Sequence, residues 1–196
     1  MPIVLAGAES YVSAAVAECL TRERGYQLVA AGNLTAGAMK ASDGVIPFGD
    51  PDAALDPTLV STVLDAPPPG PVWLPSVERQ VFDAADRGLR GVVLRPSIAH
   101  GRGGGMVARL ASGDLPLAGT GGNLWSFIHV DDLAGLFLLA FESAPSGSFY
   151  VAAGGPAVAA LLLDRRAGST SAGREFGWRQ SRPTVLEHLA AQGAGA

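Results

Sequence analysis

The stretch PIVLAGAESYVSAAVAECLTRERGYQLVAA, residues 2–31, sets the architecture. Residues 2–7 (PIVLAG) are a short apolar run ending in glycine, the pattern of a strand buried on both faces of a parallel sheet. From residue 10 the period changes. Val12, Ala15, Val16, Cys19 and Leu20 recur at helical spacing, which predicts a helix over 10–24 with Ser10 as N-cap and Gly25 as its stop. YQLVAA at 26–31 then predicts a second strand. Strand, helix and strand in this order open a doubly wound α/β sheet, because parallel neighbours need a crossover connection.

The same reasoning runs downstream. Strands are expected at 44–48 (GVIPF), 58–64 (TLVSTVL), 91–94 (GVVL), 125–130 (WSFIHV) and 148–152 (SFYVA). Helices are expected at 76–87, 106–111, 131–142, 157–165 and 183–191. The helix at 131–142 (DDLAGLFLLAFE) has acids in its first turn, which suits the helix dipole, and Asp131 is its expected N-cap. Residues 50–71 carry Pro51, Pro57, Pro67, Pro68, Pro69 and Pro71, and PPPGP reads as a stiff loop. GRGGG at 101–105 reads as a flexible loop rather than a phosphate cradle.

Composition bounds the function. A chain of 196 residues, 48% hydrophobic and 16% charged, is expected to fold as one domain with a real core. A net charge of −4 argues against nucleic acid or an anionic membrane as partner. The single cysteine, Cys19, excludes an intrachain disulfide and fits a reduced, cytoplasmic compartment. No apolar run reaches the ~20 residues a membrane span needs. His100, His129 and His188 show no ligand spacing, so no metal is expected. The expected partner is a small-molecule ligand or substrate, with a homodimer or a protein partner possible.

VVLRPSIAHGRGGG (92–105) and LWSFIHVDDLAGLFLLAFE (124–142) bring a family into view. They resemble the extended and atypical short-chain dehydrogenase/reductase superfamily, in its NAD-dependent epimerase/dehydratase group. The usual text there is close to V-L-R-P-x-x-x-Y/H-G-x-G and W-x-F-V-H-V-x-D-L-A-x-A-x-x-L-A-L-E. GSFYVAAGG (147–155) is similar to the group's next strand, and FGWRQSRPTVLEHLA (176–190) to its terminal L-G-W-x-P-x-x-x-x-x-E-D-L. The resemblance implies an α/β fold: a shortened Rossmann-like, doubly wound, mostly parallel sheet with a small C-terminal α/β lobe. Within a single domain 1–196, it implies a core at 1–105, shortened around 50–71, and a substrate-side lobe at 106–196. It further implies that 44–55 is the third strand, with Asp50 near an adenine. Residues 59–65 would be the fifth strand, and the central strand, D-x-V-I-H-x-A-A, would be missing.

The cofactor implied is NAD(P), and the chain departs from its motifs. Where the group carries G-x-x-G-x-x-G, this chain has Gly7, Ser10 and Ser13. Gly7, Ser10, Tyr11 and Val12 are the candidate contacts at the phosphates, Asn33 at the ribose and Asp50 at the adenine. Glu9 opposes binding, since a carboxylate ~5 Å from a phosphate charge costs roughly 3 kcal/mol at an effective dielectric of 20. The group's Tyr-x-x-x-Lys pair is also absent: Lys40 is the only lysine, and Ala36 stands four residues before it. Hydride transfer by the usual route is therefore not expected. Ser61, Thr62 and His100 are the remaining catalytic candidates, with Arg95, Arg102 and Trp125 as candidate substrate contacts.

Three functions follow. One is an NAD(P)-dependent epimerase/dehydratase-like protein with degraded cofactor and Tyr-Lys motifs. Another is a cofactor-independent isomerase, cyclase or dehydratase of secondary metabolism using the same cleft. The third is a non-catalytic pseudo-enzyme or partner subunit.

Overall fold

The computed structural model describes residues 2–6, 11–31, 44–47, 82, 92–113, 124–154, 156–158 and 170–193. The expected strand at 58–64 lies outside them, as does the helix at 76–87 apart from Phe82, which is helical.

The opening unit forms as its pattern predicts. Strand β1 (Pro2–Ala6), helix α1 (Tyr11–Arg24) and strand β2 (Gln27–Ala31) follow one another, and β1 pairs with β2 in parallel, Ile3 opposite Leu28. Gly25 ends α1 in the left-handed conformation, with φ 66°. Its N–H donates to the Thr21 carbonyl at 2.8 Å, and Tyr26 N–H reaches back to Leu20 at 3.4 Å, so two terminal carbonyls are satisfied.

Strand β3 (Gly44–Pro47) corrects an expectation. It pairs with β1, in parallel, giving the order β2-β1-β3. A third strand of a doubly wound sheet would flank β2; the far side of β1 belongs to the central strand. The segment read as the third strand therefore fills the place read as missing. Residues 43–46 (DGVI) in fact match the D-x-V-I of that central strand. The adenine role given to Asp50 rested on the discarded placement, and Asp50 itself lies outside the described residues.

Two smaller sheets follow. Strand β4 (Val92–Pro96) pairs in parallel with β7 (Ser148–Ala152). Strand β5 (Ile98–His100), which the pattern did not reveal, pairs in parallel with β6 (Leu124–His129). Strand β8 (Pro156–Val158) closes the other side of β6, antiparallel. The expected helix over 157–165 is thus corrected at its start: pairing with Leu124 and Trp125 overrides the helical preference of alanine. Helix α2 (Gly105–Ala111) matches its expectation.

Helix α3 (Val130–Ser143) is the central packing element. One face meets α1, where Ala15, Val16, Cys19 and Leu20 pack on Val130, Ala134 and Leu138. The other covers the later strands, where Leu133, Leu136 and Ala140 pack with Ile128, Tyr150 and Ala152. Arg24 on α1 also pairs with Glu142 at 2.7 Å. Helix α4 (Thr170–Phe176), not read from the sequence, adds Ala172 to the second cluster. Helix α5 (Val185–Gly193) begins with a reciprocal cap: Thr184 Oγ1 accepts from Glu187 N–H, while Glu187 Oε2 accepts from Thr184 N–H at 2.7 Å. No described helix is long and apolar enough to cross a membrane.

Candidate functional site

In an open α/β sheet, ligands bind beyond the carboxyl ends of the strands. Three structural features meet there: the start of α1, the turn after β5 and the junction of β6 with α3.

Tyr11 opens α1, and its ring lies against Gly104. A Cβ on Gly105 would strike the Tyr11 hydroxyl and come within 2.8 Å of the Ala99 carbonyl oxygen. Burial pushes the Tyr11 phenol well above its ordinary range, so it stays protonated. The turn at 101–105, expected to be flexible, is packed, and Gly104 N–H donates to the Gly101 carbonyl at 3.1 Å. Val12 packs on both apolar clusters, which makes it a core residue. Ser13, buried at the third glycine place, is small enough to keep the helix close to its neighbours.

His129 corrects the expected cap. The N-cap of α3 is His129, whose Nδ1 accepts from Asp131 N–H at 3.2 Å. An accepting Nδ1 carries no proton, which places the ring proton of the neutral form on Nε2. Burial also lowers the affinity of His129 for a second proton, against the opposing pull of Asp131 and Asp132. Its 3.8 Å approach to the Asp131 carboxylate is therefore not an ion pair at neutral pH.

The two acids after His129 have separate roles. Asp131 Oδ1 accepts from Arg102 Nε at 2.6 Å. Arg102 also reaches Glu18 at 2.7 Å and holds a left-handed φ of 52°. Asp132 is buried and accepts from Ser181 Oγ at 2.6 Å, Ser181 N–H at 3.1 Å and Arg182 N–H at 3.0 Å. It fastens the segment before α5 to the start of α3, helped by Trp178 Nε1, which donates to the Asp132 carbonyl at 3.3 Å.

His100 stands opposite His129 in the parallel register. It is 1% exposed, and its Nδ1 has no hydrogen-bond partner among the described residues. Burial first, then the neighbouring imidazoles, hold its pKa down to about 4. His188 on α5 joins the pair, so three histidines far apart in sequence meet here. Sequence spacing does not reveal this group, because the separations of positions 100, 129 and 188 match no helical or turn motif. Among the described residues no group of His, Cys, Asp and Glu is arranged to hold a metal ion.

The remaining candidates divide. Arg95 on β4 lies over the Phe149 ring, 4.7 Å from its centroid, and Arg102 has two donors committed to carboxylates. Trp125 lies in β6, and nothing further is described of its side chain. Gly7, Ser10, Asn33, Ser61 and Thr62 lie outside the described residues.

Gly101 tests this construction. Its φ is 104°, and a Cβ there would strike His129 Nε2, with His129 Cδ2 2.8 Å away. Gly101→Ala is expected to lose about 2 kcal/mol of stability, through backbone strain plus displacement of the capping ring. Urea melts of the two proteins measure it.

Comparison with known proteins places this frame. The dTDP-glucose 4,6-dehydratase of Bacillus anthracis, solved with NAD, superimposes with a TM-score of 0.71 at 12% identity, over 95% of this chain and 94% of that one. A UDP-glucose 4-epimerase of Thermotoga maritima, solved with UDP-glucose, gives 0.68 at 15% identity, over 95% and 96%. No family model matches the sequence. A 3-diazoavenalumate denitrifying reductase from a Streptomyces species is 38% identical over 110 residues, covering 51% of this chain and 35% of that protein. The chain thus spans about a third of the length of the curated relative it matches. The chain shares the α/β fold of this NAD-bound dehydratase and this epimerase. The resemblance seen in residues 92–105 and 124–142 holds at that level.

Proposed function

We propose that this chain is a member of the epimerase/dehydratase group that holds a nicotinamide nucleotide at the turn from β1 into α1 and acts as a reductase rather than an epimerase. The observation that carries this reading is the fate of the tyrosines. Tyr11 is walled in by glycines and kept protonated. Tyr26 donates to Glu142 on the surface at 3.3 Å, and Tyr150 is 2% exposed beside Phe176. None of the three stands four residues before a lysine, the pairing that the resembled group uses to exchange a proton with an alcohol or carbonyl. Hydride delivery to an acceptor that needs no proton from the protein makes no such demand.

The frame fits the nucleotide. The carboxyl end of β1 leads to the N-terminus of α1, whose first turn has no acid, so the helix dipole favours a pyrophosphate there, against the charge of Glu9 just before it. Gly7 would allow the tight turn, Ser10 would donate its hydroxyl, and Tyr11 and Ser13 would hold helix and turn together. When bound, the nucleotide supplies the hydride. Arg102 would screen an anionic substrate by trading one carboxylate for another. The partial match to a reductase supports this direction. A base at His100 is disfavoured by its burial.

The test is titration with NADPH and NADH, followed by nicotinamide fluorescence and calorimetry. Binding at micromolar concentration is expected. No binding at millimolar nucleotide overturns the reading.

A further inference from the structure

His100, His129 and His188 come from three elements, with ring centroids 5.2, 5.8 and 6.2 Å apart. His188 stands where the resembled terminal text, E-D-L, has aspartate, so a third imidazole replaces an acid beside the other two. The charged groups around them are already engaged. Asp132 holds Ser181 and Arg182, and Asp131 lies between Arg102 and Arg182. Glu187, one residue before His188, is turned back onto Thr184.

Among the described side chains of α5, few others are buried. Val185 is buried, whereas Leu186 and Leu189 are 50% and 37% exposed. Among the described residues, the imidazole group joins α5 to the carboxyl ends of β5 and β6. We propose that α5 is a proton-released latch, closed over His100 and His129 through His188 while those two imidazoles are neutral, and lifted as they take up protons.

The sign follows from the burial. In the closed state His100 is held down to about 4 from its ordinary 6.5, and His129 is also lowered. Opening returns both rings to water, where they bind protons in the ordinary range. The open state thus binds more protons between those limits, so the closed state is fully favoured above about pH 6.5 and loses ground as pH falls toward 4. Protonation of His129 at Nδ1 also removes the acceptor that caps α3.

Hydrogen exchange of the full chain at about pH 7.5 and about pH 5, corrected for intrinsic rates, tests the latch. Amides of 185–193 are expected to lose about tenfold protection at the lower pH while those of 134–143, beyond the capped first turn of α3, keep theirs. In His100→Phe, which removes the most strongly suppressed imidazole, the loss should shrink to about threefold or less. His188→Gln should shrink it likewise, and serves if His100→Phe does not fold. Unchanged protection of 185–193 at the lower pH overturns the proposal. So does its loss together with that of 134–143, or an equal loss in the folded variants.

Discussion

Asp132→Ala is expected to cost about 3–4 kcal/mol, a large share of the roughly 5–15 kcal/mol margin of an ordinary domain. The carboxylate is 5% exposed and accepts from two backbone N–H groups and one hydroxyl. Hydrogen bonds to a charged acceptor contribute about 1.5–3 kcal/mol each net, and truncation leaves both N–H donors without that acceptor. The segment at 178–182 should then detach from α3, taking the Trp178 indole out of its contact with the Asp132 carbonyl. Urea melts followed by tryptophan fluorescence will show a lowered midpoint. Asp131→Ala is the matched control. Its ion pairs lie at the surface, so the loss should stay within about 1 kcal/mol. Equal losses from the two neighbours would refute the assignment of Asp132 as the fastening residue.

Leu133→Ala is expected to lose about 3–4 kcal/mol through a different cause. Leu133 has no exposed surface and packs in the cluster of Ile128, Tyr150, Ala152 and Ala172. Its neighbours come from β6, β7 and α4, so the void cannot collapse by moving one element alone. The urea midpoint should fall with the slope unchanged. Leu133→Met, which keeps the volume, should cost less than about 1.5 kcal/mol. A Leu133→Ala loss below 1 kcal/mol would mean that the cluster is looser than its burial indicates.

What the sequence disclosed follows the range of its signals. The stretch LWSFIHVDDLAGLFLLAFE changes period from two to 3.6 within a few residues, so the β6–α3 junction is legible to within about one residue. The cap was misplaced by two positions because aspartate is the commoner cap, and only the folded geometry shows the His129 ring turned onto the Asp131 N–H. Residues 44–47 were legible as a strand but not as the neighbour of β1, since alternation fixes the type of an element and not its partner. Three-residue β5 and β8 are too short to carry a period at all. The histidine group was hidden for a related reason: no local pattern links positions 100, 129 and 188, which meet only through the pairing of β5 with β6 and the docking of α5.

The packing of α1 on α3 has a consequence for how this chain is made. The Arg24–Glu142 link joins residues 118 positions apart. At about 5–20 residues per second on the ribosome, the first βαβ unit emerges roughly 6–24 seconds before the helix that covers it. Through that interval Val16, Cys19 and Leu20 face solvent or a chaperone rather than Val130, Ala134 and Leu138. Nascent chains stalled before α3 should therefore bind trigger-type holdases, and chains released there should aggregate.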